Sequence, residues 1–494
     1  MNYRLITRIL GAILVLEGLT MLPAMGISML YGDGDASAFA LSFCLAVSAG
    51  IPGWAFSRPE RHDLRLKEGF LTVALAWVLL SIVGALPYVL SGALPSFMDA
   101  FFETVSGLTT TGATILTNID AQMRGILFWR SFTHWIGGMG VLVFLLAVLP
   151  MVGGSNMHLM KAESPGPSVG KLVPKVRHTA RILYMLYIGL TILQFLLLLL
   201  GGMIPYEALC TAFGTAGTGG FGFRNDSFAS FSPYIQWVVT IFMIIFGVNF
   251  NVYYLILLRR FREAVRCEEM RWYLGIIAAA ALLICANIYD TALTLEANLR
   301  AAFFQVATVI TTTGYATVDF DLWPAFSKTI LVGLMFVGAC AGSTGGGMKV
   351  SRMVIALKTF IRQMGQSIHP RAVRRIRFED RDVEEDTVRA VSLYFAAVAF
   401  IFVFSMLIIS LENMDMTSTF TAVAATFNNI GPGLNAVGPT CNFGALSDLS
   451  KWMLIFDMLT GRLEIFPMLL LFYPPLWRET AGRLRSDRER NAKR

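Results

Sequence analysis

The stretch Thr109-Thr110-Thr111-Gly112-Ala113 returns almost unchanged as Thr311-Thr312-Thr313-Gly314-Tyr315. Two looser versions complete the set: Ala216-Gly217-Thr218-Gly219-Gly220-Phe221 lies between them, and Asn428-Asn429-Ile430-Gly431-Pro432-Gly433 follows. Aligned on Gly112, Gly219, Gly314 and Gly431, the four turns recur about every 100 residues. Between them the chain cycles through an apolar span, a short half-apolar helix, the glycine turn and another apolar span. A fourfold repeat of this kind sets the architecture.

Glycine reaches backbone angles closed to other residues, so a run built around it can turn successive carbonyls to one side. Four such runs meeting on one axis form rings of carbonyl oxygens, with threonine hydroxyls as further acceptors below. Such rings replace the water shell of a dehydrating monovalent cation. A single Thr-Gly turn usually just caps a helix, but four at a regular period in an apolar chain point to an ion path. The residues assigned to it are Thr110, Thr111 and Gly112; Thr218 and Gly219; Thr312, Thr313 and Gly314; and Asn429, Ile430 and Gly431.

Hydrophobic residues make up 55% of the 494 and charged residues 15%, with a mean hydropathy of +0.61. That is the composition of a polytopic membrane protein. The net charge of +7 requires no nucleic acid, because the basic residues cluster in particular loops. The six cysteines are scattered without Cys-x-x-Cys spacing, which argues against zinc and against a disulfide framework. The first apolar run reads as a retained span, not a signal peptide.

A spanning helix needs roughly 20 apolar residues. Candidates lie near 8–30, 36–56, 69–91, 123–151, 179–204, 233–259, 272–290, 326–360, 388–411 and 450–477. The first two have no glycine turn after them and form an added pair; the rest flank the four turns. Segments near 96–109, 205–216, 297–311 and 416–428 are too short to span and read as re-entrant pore helices. The expected divisions are a helix pair in 1–68, repeats over 69–178, 179–270, 271–385 and 386–477, and a basic tail over 478–494.

Of the basic residues, only Arg124, Arg130, Arg224, Arg300, Lys328 and Lys451 fall on the side of the turns, with Arg462 inside a span. The others cluster at the amino terminus, near 58–67, 161–181, 259–271 and 349–389, and after Trp477. That asymmetry predicts cytoplasmic termini and outward-facing turns. Acidic residues including Asp33, Asp35, Asp99, Glu103, Glu207, Glu296 and Asp321 lie on the outer side. They read as a solvated rim that collectively attracts cations.

Gly338-Ala339-Cys340-Ala341-Gly342-Ser343-Thr344-Gly345-Gly346-Gly347-Met348-Lys349 interrupts the second span of the third repeat. Small residues often let membrane helices pack closely, but three consecutive glycines predict a break that can plug a pore and move aside. Gly342, Gly345, Gly346, Gly347 and Lys349 are its candidate gate residues. Arg462, in Gly461-Arg462-Leu463-Glu464, carries a mid-span charge that must face protein or a wet cavity. Pairing with Glu464 or Asp457 and a position beneath the turns, touching the glycine-rich segment, are both open readings.

These motifs resemble the potassium uptake superfamily of bacterial Trk and Ktr proteins and plant HKT transporters, across the whole chain. The extra helix pair, Thr-Thr-Thr-Gly-Ala, the glycine-rich run and Gly-Arg-Leu-Glu are most similar to the TrkH/TrkG branch. The resemblance implies an all-α membrane protein of four membrane–pore–membrane repeats around a pseudo-fourfold pore, in the bacterial inner membrane. It further implies a homodimer, potassium ion bound in the filter as cargo, and a cytosolic TrkA-like nucleotide-binding subunit. In that family Gly112, Gly219, Gly314 and Gly431 become filter glycines, 338–349 the gate loop and Arg462 the pore arginine. Asn429-Ile430 departs from the threonine signature and implies less symmetric coordination.

No Gly-x-Gly-x-x-Gly fingerprint occurs, so any nucleotide sensing falls to a separate subunit. The cytoplasmic run holding Arg371, Arg374, Arg375, Arg377 and Arg381 offers it a charged platform. The five histidines include no His-Glu-x-x-His pair, and nothing suggests an enzyme. A carrier would show paired broken helices in inverted halves, whereas these repeats read as parallel and one helix as strongly broken. Channel-like conduction is the preferred expectation, with proton- or sodium-coupled symport on the same fold as the alternative.

Overall fold

The computed structural model describes residues 1–57, 66–140, 176–290, 294–371 and 374–475. The expected basic loops at 58–67 and 161–181, the end of the span at 123–151 and the tail 478–494 lie wholly or partly outside them. The fold is an all-α membrane protein; its described strands are two dipeptides, Arg377–Phe378 and Arg381–Asp382, paired antiparallel.

An amino-terminal pair, Tyr3–Tyr31 and Ala36–Ile51, comes first. These helices approach closely at Gly11, where a Cβ would stand 2.6 Å from Gly50 O. The four repeats then follow one plan. Outer helices Leu66–Gly84, Val176–Leu200, Glu268–Asn287 and Glu385–Ile409 each lead into a short pore helix. The pore helices are Phe97–Leu108, Pro205–Ala216, Leu295–Ile310 and Met416–Phe427. At 1.5 Å per residue, a 12-residue helix runs only about 18 Å, well short of a bilayer core.

Local chemistry starts each pore helix. Ser96, Thr294 and Asp415 accept N–H groups from Asp99, Ala297 and Ser418, and the second helix begins on Pro205. Their far halves are buried, whereas their starts face the rim.

The inner helices depart from the sequence reading. The second is not one span over 233–259: Pro233–Phe246 and Phe250–Leu257 meet at 91°. The third splits into Ala325–Val337 and Val350–Ile368, as the glycine run predicts. The fourth stops at Arg462 and resumes as Phe466–Leu471, with positive φ at Glu464 and Ile465. Interruption is thus shared by the second, third and fourth inner helices, although the third alone carries a long glycine-rich insert.

Part of the outer acidic rim is solvated, with Asp120, Asp226, Asp290 and Asp448 exposed, but other acids are paired or buried. Glu103 is buried and accepts from Arg130 Nε at 2.8 Å. Lys451 pairs with Asp99 at 2.6 Å, Arg224 with Glu207 at 3.0 Å and Arg300 with Glu296 at 2.7 Å. Asp33 accepts the Arg124 N–H, capping the first inner helix, and Asp35 is buried against Ser28. These acids hold segments together, Glu296 by accepting from Trp237 Nε1 at 2.8 Å, since Arg300 lies on its own helix.

The Glu103–Arg130 pair lies within the first repeat and, through Arg130, ties it to the second. Glu103 also accepts from Ile115 N at 2.8 Å, and Arg130 Nη1 donates to Gly222 O at 3.0 Å. Removing one member leaves an uncompensated buried charge. Glu103→Gln or Arg130→Met alone should destabilise the protein by about 3–5 kcal/mol. The double substitution should cost clearly less than the two single losses added, as measured by thermal unfolding of detergent-purified protein. Additive losses would show that the two residues do not act as a pair.

Candidate functional site: four turns and the segment beneath them

Every pore helix ends in the same hydrogen-bonded motif. The second residue past the helix donates three residues back: Thr110 to Gly107, Thr218 to Thr215, Thr312 to Val309 and Asn429 to Thr426. The next residue donates five back: Thr111 to Ser106, Gly219 to Gly214, Thr313 to Thr308 and Ile430 to Ala425. This is a Schellman cap, whose left-handed position normally takes glycine. Here it takes Thr110, Thr218, Thr312 and Asn429, with φ of 56°, 52°, 59° and 56°. A β-branched residue in that region is strained, and such strain concentrates at functional sites. Asparagine tolerates the conformation better, which suits Asn429 to the same role.

Glycines follow two residues later, at Gly112, Gly220, Gly314 and Gly431, with φ of 80°, 79°, 89° and 102°. The second turn's equivalent glycine is therefore Gly220, not the Gly219 chosen by sequence alignment. Gly219 occupies the place of Thr111, Thr313 and Ile430.

The turns close on one another. A Cβ on Gly112 would stand 2.1 Å from Gly219 O, one on Gly220 1.8 Å from Thr313 O, one on Gly314 2.2 Å from Ile430 O, and one on Gly431 2.8 Å from Thr111 O. Each turn leans on the next and the fourth returns to the first. The structure thus brings all eleven sequence-assigned residues into one ring, with Gly220 added; its threonines are buried, and Gly112, Gly220 and Gly314 are half-buried.

Side chains support the ring in pairs. In the first and third turns, Thr109 and Thr311 hydroxyls donate to Val105 O and Ala307 O and meet Thr111 and Thr313 hydroxyls at 2.8 and 2.7 Å. In the fourth, the Asn429 amide donates to Thr111 Oγ1 and Met458 O, both at 2.9 Å. The Thr110 hydroxyl is buried without a protein partner.

His134 explains the odd second turn. Its Nδ1 lies 2.8 Å from Gly107 O, and its Nε2 accepts the Phe221 N–H at 3.1 Å, so the proton sits on Nδ1. The ring fills the space where a Gly219 side chain would go, with Cβ-to-ring distances near 2.2 Å. Sequence reasoning considered the histidines only as metal ligands and missed this one. The signal was a turn with two glycines where its relatives have Thr-Gly.

The glycine-rich segment 338–349 lies directly beneath the third and fourth turns. Gly346 N donates to Thr312 Oγ1 at 2.6 Å, and a Cβ there would meet Asn428 O at 2.9 Å. Gly345 lies against Thr311 O, Gly347 against Gly338, and buried Lys349 bonds Gly345 O. The bend of the second inner helix interlocks with it: Phe250 N donates to Gly342 O and Cys340 N to Gly247 O, each at 3.0 Å.

Arg462 crosses the space under the turns. It donates to Thr344 O at 3.0 Å, and to Gly137 O and Gly138 O at 2.6 and 3.0 Å. Arg462 therefore touches the segment, as one of its two open readings expects. Glu464 pairs with Arg352, which also stacks 4.1 Å over Tyr394, and Asp457 accepts from Ser405.

Gly219→Ala should cost stability and distort the ring, because both His134 and the backbone are fixed. Adding His134→Ala should recover much of the loss by making room, whereas His134→Ala alone should weaken the turn by removing the Phe221 bond. Thermal unfolding of the three variants checks this; no recovery in the double variant means that the ring is not what excludes a side chain.

The chain matches the family described as TrkH, cation transport protein, over residues 36–286 and 291–478. The Trk system potassium uptake protein TrkH of Salmonella typhimurium is 40% identical over 490 residues, covering 97% of this chain and 100% of the relative. The Trk system potassium uptake protein TrkG of Escherichia coli is 32% identical, covering 97% and 99%. The crystal structure of the potassium transporter TrkH from Vibrio parahaemolyticus superposes with a TM-score of 0.87 at 35% identity, over 97% of this chain and 100% of that one. With the four-turn ring and the glycine-rich insert beneath it, these similarities show that the chain belongs to the TrkH family of cation transport proteins, transporters rather than enzymes.

Proposed function

We propose that this protein takes up potassium across the bacterial inner membrane through the axis enclosed by the four turns. The supporting observation is their closure, each glycine set against the next turn's carbonyl. A ring from Thr111, Gly219, Thr313 and Ile430 offers neutral oxygen dipoles in place of water, which suits a weakly hydrated monovalent cation. The unpartnered Thr110 hydroxyl is a further acceptor. The carbonyl ends of four pore helices add negative potential where the cation sheds its shell. The names of the Trk relatives support potassium as the cargo.

In this reading segment 338–349 is the gate, and Arg462 places positive charge in the ion path while pinning the segment to Gly137 and Gly138. The chain works as a homodimer with two independent pores and cytoplasmic termini. A cytosolic TrkA-like subunit binds nucleotide and acts through the charged loops around Arg259 to Arg271 and Arg371 to Arg381.

Gly112→Ser should raise sodium permeability relative to potassium. Its Cβ would enter the space of Gly219 O and re-line the ring. Permeability ratios from reversal potentials check this, and unchanged ratios in a folded variant remove Gly112 from the filter. Deleting 341–347 should raise flux and leave ion preference intact, and Arg462→Ala should act in the same direction. Reduced flux with altered selectivity in a properly inserted deletion variant would contradict a gate. An Arg462→Ala effect confined to expression would make that arginine structural.

A further inference from the structure

Segment 338–349 has a second anchor, on the side away from the turns. Glu269, 3% exposed, accepts the Ala341 N–H at 2.7 Å and the Ser351 N–H at 3.1 Å through one oxygen, Oε1. Ala341 lies near the entry to the segment. Ser351 lies in the first turn of the helix that leaves it. One carboxylate therefore ties both ends of the insert to the start of the third outer helix. Bonds from backbone N–H groups to a carboxylate are about twice as strong as neutral ones.

The start of that outer helix is itself held by the hairpin Arg377–Asp382. Glu379, at its tip with φ of 53°, accepts from Glu269 N at 3.0 Å and from Cys267 Sγ at 3.2 Å. Its own N–H donates to Glu268 Oε2 at 3.3 Å. Glu268 pairs with Lys358, on the helix that follows the segment, and Lys358 also donates to Arg377 O at 2.7 Å. Hairpin, helix start and glycine-rich segment form one continuous chain of hydrogen bonds.

We infer that Glu269 is a positioning residue that holds the segment in place, and that Glu379 is the clasp through which the hairpin controls it. Lifting the hairpin tip withdraws Glu379 from the Glu269 backbone, and the helix start that carries the carboxylate loosens with it. This rests on the reading of 338–349 as the gate. It assigns the hairpin, rather than the neighbouring basic residues alone, as the handle for a cytosolic protein.

The test is potassium flux into liposomes holding the full-length protein without any cytosolic partner. Glu269→Ala strands the buried Ser351 N–H and the half-buried Ala341 N–H and should raise basal flux about tenfold with unchanged ion preference. Glu269→Gln, whose amide oxygen can accept both bonds but without the charge, should raise flux clearly less than Glu269→Ala, an ordering that bulk destabilisation would not give. Glu379→Ala, at a half-buried position, should give a smaller rise, roughly threefold. If deletion of 341–347 raises flux while both alanine variants behave as the parent, the anchor is refuted and the gate stands. If the deletion leaves flux unchanged, the gate reading itself fails. Should Glu269→Ala not insert, Glu379→Ala decides alone, and parental flux there overturns the inference.

Discussion

The closest constraint in this protein is the approach of a glycine Cα to the carbonyl of the next turn. It is met four times in a closed succession, so no turn can relax without moving its neighbours. The helices are cut to serve it. A Cβ on Gly137 would stand 1.9 Å from Leu108 O, and one on Gly461 1.9 Å from Phe427 O, the last carbonyls of the first and fourth pore helices. Inner helices without side chains at those points come near enough to brace the pore-helix ends. The strained threonines just past them persist because the surrounding packing leaves no alternative conformation.

Fourfold symmetry is broken where single side chains do work that the backbone repeats do not. His134 buries its ring where the first and third turns carry a threonine, and it bonds pore helix one to turn two. Asn429 replaces a threonine yet reaches both Thr111 and Met458, so it joins the fourth turn to the first and to its own inner helix. Arg462 follows Gly461 as Gly138 follows Gly137, and from that matching place its guanidinium reaches back to the Gly137 and Gly138 carbonyls. The ring is regular in its backbone and irregular in its supports.

That division decides what the sequence could disclose. Outer helices, pore helices and turns were legible because apolar length and the Thr-Gly signature are local properties, repeated four times, whereas the breaks in the inner helices were mostly not. The register of the second turn was not, since Gly219 and Gly220 are chemically identical and only their folded setting separates them: the Gly214 bond and His134 ring at Gly219, the positive φ at Gly220. The 91° bend at 247–249 was hidden because Phe246-Gly247-Val248-Asn249-Phe250 is apolar enough to continue a helix; the Gly342 and Cys340 backbone contacts, about 90 residues away, secure the bend. The fate of Glu103 and Asp35 was equally illegible, because whether an acid caps, pairs or hydrates depends on which chain segment folds over it.

The glycine-rich segment is held differently from everything around it. The helices owe their places to apolar burial, spread over many side chains and not reversible piecemeal. A run of small residues buries little apolar surface, so its position rests on a set of hydrogen bonds: Gly346 to Thr312, Arg462 to Thr344, Thr344 to Phe246, Phe250 to Gly342, Cys340 to Gly247, and Ala341 and Ser351 to Glu269. Each such bond contributes about 1 kcal/mol, somewhat more where a charge takes part. A sum of that size holds the segment in one place yet lies within reach of a binding event that removes two or three of them. Elements with few contacts and discrete attachments are those that move. Among the described residues this segment alone combines that kind of attachment with a place beneath the ring, so rigidity above and releasability below are both consequences of which residues have side chains.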